Sequence, residues 1–261
     1  MSDTLSFTVD GHVAEITLTR PEVLNRFDVA LHRDFTEALL ELRSRTDVRA
    51  VVLASTGKCF SAGGDFELML AGRADIATRT RLIDEGRLMF RLLADVPLPI
   101  VAALQGDAIG LGATVALACD AVVASRTASI ADPHVAIGLV AGDGGCVVWP
   151  AAAGMLRAKR YLLTGDRLKA EDAWTMGLVT DLVDGPDDVL PAARALAARM
   201  AALPPLAVQG TKRALNQLLQ QRAGEVLDLS FTLEGVSMGS DDLVEAIAAF
   251  KERREPKYQG R

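Results

Sequence analysis

Three short stretches of this 261-residue chain are apolar almost without interruption: AVVLAS at Ala50–Ser55, IVAAL at Ile100–Leu104 and AVVAS at Ala121–Ser125. Runs of five or six such residues, rich in valine and isoleucine, read as strands buried in a core. Helical periodicities separate them. From Asp28, a side chain suited to capping a helix, Leu31, Phe35, Leu39 and Leu42 recur on one face as far as about residue 45, and Leu82, Met89, Phe90 and Leu93 do the same over residues 79–94. A glycine-rich turn and a short helix join the second run to the third. Strands alternating with helices imply sheet layers covered by helices, an α/β fold.

The ends of the chain differ from this middle. Residues 5–9 and 12–19 alternate apolar and polar side chains around Asp10-Gly11, a pair that accepts the positive φ of a tight hairpin turn. After a last strand within residues 177–183 only helical patterns follow, over 188–203, 206–221, 223–238 and 241–254, joined to the rest through DGPDD at 184–188. Half the residues are hydrophobic, enough for one large domain or two small ones. The division expected is a core over residues 1–185 and a helical region over 186–261.

Lys and Arg number 28 against 34 Asp and Glu, a net charge of −6, and no basic cluster exceeds pairs such as Arg253-Arg254. That balance argues against nucleic acid as a partner. Three scattered cysteines fit neither a disulfide framework nor paired metal spacing, so a reducing compartment and no metal site are expected. Neither a signal-peptide pattern nor an apolar run of bilayer length is present; the expectation is a soluble, cytoplasmic protein with no membrane partner.

Two loops leave strands through glycines. CFSAGGDF at 59–66 follows the first apolar run, and QGDAIGLGATVALACD at 105–120 follows the second and opens a helix. Such turns let backbone N–H groups approach a ligand with no Cβ in the way, and two of them pointing at one oxygen form an oxyanion hole, aided by the free amides of a helix start. The plainer reading, tight packing of strand against helix, stands beside it. The spacing is neither GxGxxG nor a phosphate loop with its lysine.

These motifs, in order with RPEVLNRFD at 20–28, GLVAGDGG at 138–145, AKRYLLTGDRLKAEDAWTMGLVTDLV at 158–183 and AFKERREPKYQGR at 249–261, resemble the crotonase superfamily, the enoyl-CoA hydratases and isomerases, over nearly the whole chain. The resemblance implies a spiral of ββα turns followed by a C-terminal helical trimerisation region, an acyl-CoA substrate, and a homotrimer or dimer of trimers. No cofactor is implied beyond coenzyme A as part of the substrate. Matched position by position, the oxyanion amides fall on Gly64 and Leu111, although the family usually has glycine where Leu111 stands. Leu24, Arg26, Ala62, Asp65, Phe250 and Arg253 match CoA-binding positions, the last two reaching across a subunit boundary, while Glu22 replaces a common lysine.

The departure lies in the acid–base groups. Hydratases of the family place two glutamates about the substrate's α and β carbons; the matching positions here are Thr114 and His134. A threonine hydroxyl does not titrate near neutrality, so hydration by two carboxylates is not supported. His134 precedes Asp143 by a spacing that resembles the β-diketone hydrolase (6-oxocamphor hydrolase-like) branch, though Gly112 stands where that branch carries a further histidine. Two readings of the pair follow. A carboxylate beside the imidazole would orient it and raise its pKa for proton transfer, with Thr114 placing water or a substrate oxygen; alternatively Asp143 caps a helix and His134 lies in a polar turn. The function expected is proton transfer on an acyl-CoA enolate, with C–C hydrolysis of a β-diketone and a non-catalytic acyl-CoA scaffold as alternatives.

Other candidates are expected to be structural. His12 follows the hairpin turn, and His32, Asp84 and Glu85 belong on solvated helix faces. Cys59 and Cys119 read as inert thiols; Cys146 lies near the proposed site, and Ser61 lacks the GxSxG elbow of a serine hydrolase. Residues 71–80, polar and aperiodic, are expected to form a mobile substrate wall.

Overall fold

A computed structural model describes residues 3–261. In chain order the elements are β1 (Leu5–Asp10), β2 (Val13–Leu18), α1 (Val29–Ser44), β3 (Ala50–Ser55), β4 (Cys59–Ser61), α2 (Phe66–Ala74), α3 (Ile76–Asp95), β5 (Ile100–Leu104), β6 (Asp107–Ile109), α4 (Leu111–Leu117), β7 (Ala121–Ser125) and β8 (Ser129–Ala131). There follow α5 (Gly145–Ala153), α6 (Met155–Leu162), β9 (Leu168–Lys169), α7 (Ala170–Met176), β10 (Asp181–Val183), α8 (Pro186–Ala201), α9 (Pro205–Met238) and α10 (Asp241–Glu252).

Two sheets are built side by side. The larger has the order β1-β2-β3-β5-β7-β10 and is parallel except for the opening hairpin; the smaller has the order β4-β6-β8-β9. Each of the pairs β3/β4, β5/β6 and β7/β8 adds one strand to each sheet, and the intervening helices return the chain to the next turn. This is the spiral of ββα turns that the motifs imply, with a helical C-terminal region after it.

The apolar runs are unbroken because both faces of the larger sheet are covered. Val51, Leu53, Ala102, Leu104, Val122 and Ala124 face the main core, where Phe27, Phe35, Phe60 and Trp149 are buried. Their alternates Val52, Ala54, Val101, Ala103 and Val123 pack beneath α8 against Val189, Ala193 and Ala197. The small residues on that second face allow the helix to lie close to the strands.

Three differences from the sequence expectations have local causes. Residues 71–80 are helical, forming the end of α2 and the start of α3; Asp75 caps α3 through the N–H groups of Ala77 and Thr78. The patterns at 206–221 and 223–238 are one 34-residue helix, α9, because Gly224 falls inside the turn without interrupting it. His32 is not on a solvated face: its ring lies edge-on to Phe27 with centroids 5.5 Å apart.

Helix α1 offers a direct test of this packing. Phe35 is 1 % exposed and Leu40, on the opposite face, 48 %. Phe35→Ala is expected to lower unfolding stability by about 3–5 kcal/mol, whereas Leu40→Ala changes it by no more than about 1 kcal/mol. Urea denaturation of the two variants measures the contrast.

Candidate active site

A single buried asparagine ties the 20–28 segment to the first glycine loop. Asn25, in a left-handed turn, accepts from the Arg20 N–H and donates to the carbonyls of Thr56 and Cys59, while the Ser61 hydroxyl donates to its carbonyl oxygen. Beside it the Ala62 N–H donates to Leu24 O at 3.0 Å and the Phe27 N–H to Gly63 O at 2.7 Å. The 20–28 segment is thereby sewn to the first loop.

The second loop then packs on the first with no room for side chains. A Cβ on Gly63 would lie 2.6 Å from Ile109 O and 3.4 Å from the Leu111 N–H nitrogen, and one on Gly112 would lie 2.7 Å from Ser61 Cβ. Leu111 is the first residue of α4, where no earlier turn of helix supplies an acceptor for its amide. Gly64 and Leu111 both line one cavity of about 80 Å³, which is also walled by Phe27, His32, His134 and Asp143. The Leu111 side chain is buried in that wall, 7 % exposed.

His134, 5 % exposed, opens a short 3-10 turn after Pro133. Its imidazole lies at the start of α4: a Cβ on Gly110 would sit 3.5 Å from the ring's Cε1. Two carboxylates bracket the ring. Asp132 accepts at Nδ1, and Asp143 Oδ2 lies 3.5 Å from Nε2. Thr114 donates its hydroxyl to Asp143 Oδ1 at 3.0 Å, as does the Gly145 N–H at 3.3 Å. The structure therefore brings His134, Asp143 and Thr114 together. It also shows Asp143 bonded to the first amide of α5, so capping and pairing coexist. The Thr114 hydroxyl proton is directed at Asp143.

Two acids absent from the sequence-derived site complete this one. Asp132 is 1 % exposed, and its spacing from His134 across Pro133 was the available signal. Glu234 comes from α9, 100 residues downstream, and is 7 % exposed with Oε2 unpartnered among the described residues. Its signal was subtler: Leu227, Phe231 and Met238 recur on one buried face of α9, and Glu234 occupies a core position on it.

Burial alone would push the His134 imidazole down, but the Asp132 and Asp143 carboxylates reverse that and hold its pKa well above the usual value. Burial lifts the Asp143 carboxyl above its ordinary range against the pull of His134, and pushes Glu234 up to about 8, with Asp143 and Asp132 adding to the rise. The carboxylates thus favour a proton on His134, and burial favours one on Glu234. His32 has the opposite character, driven down to about 4 by burial. The Cys146 thiol is raised to about 11, chiefly by burial, so it is not a ready nucleophile.

Asp132, His134 and Asp143 offer donor atoms within 4.8 Å of one another, the one such group among the described residues. The carboxylates face opposite ring nitrogens, which favours protonation of the imidazole over presentation of one lone pair to a cation.

Of the positions matched to CoA binding, Asp65 lines the cavity. Leu24 is exposed in a left-handed turn, Arg26 Nε pairs with Asp65 Oδ2 at 2.5 Å, and Asp65 caps α2 through the Glu67 and Leu68 amides. Phe250 packs edge-on against Phe66 of the same chain, 5.4 Å between centroids, and Arg253 ends α10 with φ of 55°. His12 is exposed as expected, with Nδ1 2.8 Å from Asp47 O; Asp84 and Glu85 pair with arginines of their own helix.

Residues 8–261 match the model of the enoyl-CoA hydratase/isomerase family. The chain belongs to this family. It is 34 % identical over 257 residues to the (E)-benzylidenesuccinyl-CoA hydratase of Thauera aromatica, covering 98 % of this chain and 99 % of that one. It is 31 % identical to the 1,2-epoxyphenylacetyl-CoA isomerase of Escherichia coli over 255 residues, 97 % of each. Among solved structures, an enoyl-CoA hydratase/isomerase from Mycobacterium paratuberculosis superposes with a TM-score of 0.90 at 36 % identity, covering 95 % of this chain and 98 % of that one. This family member is an enzyme of the crotonase type. No helix of its described residues is long and apolar enough to cross a membrane.

The raised Glu234 pKa has a stability consequence with a definite sign. The folded chain keeps this proton up to about pH 8, whereas the unfolded carboxyl releases it near its ordinary value of 4.5. The folded state binds more protons between those limits, so this group's contribution to stability falls as pH rises. His32 acts oppositely below about 6.5. Urea melts from pH 5 to 8 are expected to show Glu234→Gln gaining stability relative to the parent as pH rises.

Proposed function

We propose that this enzyme binds an acyl-CoA thioester, holds its enolate oxygen with the amides of Gly64 and Leu111, and moves the proton at Cα with His134 supported by Asp143. The observation that carries this reading is a buried imidazole, bracketed by carboxylates, in the same small cavity as both amides. His134, in its neutral form, takes the α-proton at Nε2 and becomes the imidazolium that its carboxylate neighbours stabilise, while the electron pair of the C–H bond delocalises onto the thioester oxygen, where two peptide donors stabilise it. The reverse step returns the proton from the imidazolium. Asp132 fixes the ring through Nδ1 and leaves Nε2 on the side of Asp143.

Hydration by two carboxylates does not fit these residues, since Thr114 has no basic group and its proton serves Asp143. Leu24, Arg26, Ala62, Asp65, Phe250 and Arg253 would receive the CoA moiety. Relatives whose substrates are CoA thioesters support that assignment. Assembly into a homotrimer or dimer of trimers is supported by exposed apolar residues along α9, among them Leu206, Leu215, Leu218 and Leu229.

A second reading, C–C hydrolysis of a β-diketone without CoA, is favoured by the His134–Asp143 pair. Against it, a side chain at Gly112 would meet Ser61, so the additional histidine of that branch has no place here. His134→Ala is expected to lower turnover of the acyl-CoA substrate by roughly two to four decades while thioester binding persists. Steady-state kinetics with a panel of acyl-CoAs, set against turnover of free cyclic diketones, checks this; thioester binding with no turnover by the parent would leave the scaffold standing.

A further inference from the structure

His134 is supported from two sides in different ways. On the inner side, Asp132 and Asp143 bracket the imidazole. On the outer side, the 3-10 turn His134–Ile137 that carries it borders a second cavity of about 630 Å³, whose lining includes Val135, Gly138, Ser237, Asp242, Tyr258 and Arg261. A cavity supplies no packed neighbours, so the bonds made beside it decide how firmly the turn is held.

The C-terminal tail makes such a bond. After Arg253 the chain turns back along α10: Arg254 pairs with Glu245, whose Oε1 also accepts from the Lys257 N–H at 2.8 Å. Asp242 accepts from the Gln259 and Gly260 amides at 2.7 and 2.8 Å. Between these anchors the Tyr258 hydroxyl donates to Ala136 O, within the His134 turn, at 2.6 Å. The α10 helix also joins the two halves of the proposed site. A Cβ on Gly138 would lie 3.0 Å from Leu243 N, and Ile137 and Leu139 share an apolar cluster with Leu243, Ile247 and Phe66, Met69 and Leu70 of α2. Helix α2, capped by Asp65, follows Gly64 directly; Arg73 and Glu67 on it pair with Asp241 and Lys251 of α10 at 2.8 and 2.7 Å. One C-terminal helix thus sets the turn carrying the imidazole against the helix that follows an oxyanion amide.

We infer that the C-terminal segment is a clamp on the reaction centre and that Tyr258 is a positioning residue: through Ala136 O it holds the His134 turn, and so the imidazole, in place relative to the Gly64 and Leu111 amides. The inference rests on the acyl-CoA reading above. Tyr258 acts through the turn and not on the substrate, so its loss falls on proton transfer and spares thioester binding. Proton transfer depends steeply on placement, a misplacement of about 1 Å costing up to about 10²-fold. The Tyr258 side chain is 47 % exposed, which keeps the effect of its single bond at the lower end of that range.

The test follows exchange of the Cα proton of butyryl-CoA in deuterated water by mass spectrometry, with affinity measured separately by isothermal titration. In this exchange neutral His134 takes the proton from Cα, the imidazolium gives it up to solvent, and a deuteron returned by the ring forms the C–D bond. Tyr258→Phe removes one oxygen and keeps the ring. Its exchange rate at saturating thioester is expected to fall about three- to tenfold, the range for losing one hydrogen bond, with the dissociation constant within about twofold of the parent's. Tyr258→Ala is expected to lose at least as much rate and to bind as well. A rate unchanged in both variants overturns the inference. So does weaker binding with the saturated rate unchanged, which would make the tail part of the CoA site; the acyl-CoA reading survives either result. A parent that binds no thioester, or exchanges no proton, overturns that reading and the inference with it.

Discussion

Each turn of this fold has to bury two faces of a strand at once. The constraint is met by stacking turns in register, so that residues of one parity in β3, β5 and β7 meet the main core and those of the other parity meet α8. Stacking has a second effect. Because β4 and β6 pair in parallel, the loops that follow them emerge at one edge, one strand apart. The oxyanion-hole candidates are thus neighbours for the same reason that the core is dry. Parallel pairing by itself sets only approximate proximity; the absence of side chains at Gly63 and Gly112 lets the loops come into contact.

What was legible in the sequence follows from how local its cause is. The three apolar runs, the Asp10-Gly11 hairpin and the Asp28 cap are each decided within a few residues, and they lie where the pattern put them. The 71–80 segment was misread because short amphipathic turns with charged faces lack a clear period; the Asp75 cap was its only strong local mark. His32 was placed in solvent from its neighbours Arg33 and Asp34, whereas contact with Phe27 arises only once the 20–28 loop has folded back. Glu234 is the extreme case, since nothing within α9 indicates that its carboxyl will meet residues 132–143.

At the centre of the buried cluster, an imidazole whose pKa is raised by Asp132 and Asp143 lies with a third acid, Glu234, whose ionisation burial suppresses. One imidazole among three acids leaves the cluster dependent on where its protons reside, so Thr114 and the Gly145 amide, which help keep Asp143 charged, matter more than their size suggests. The buried Leu111 side chain adds to the apolar part of the lining.

Gly144 joins these two halves of the molecule. Its φ of 118° is open to glycine almost alone, and a methyl group there would come within 2.4 Å of the Phe90 ring and 2.9 Å of Thr114 Cγ2. A buried aromatic and an active-site threonine therefore lean on the same few cubic ångströms. Any bulk gained at 144 would therefore be felt by the interior and by the cavity together.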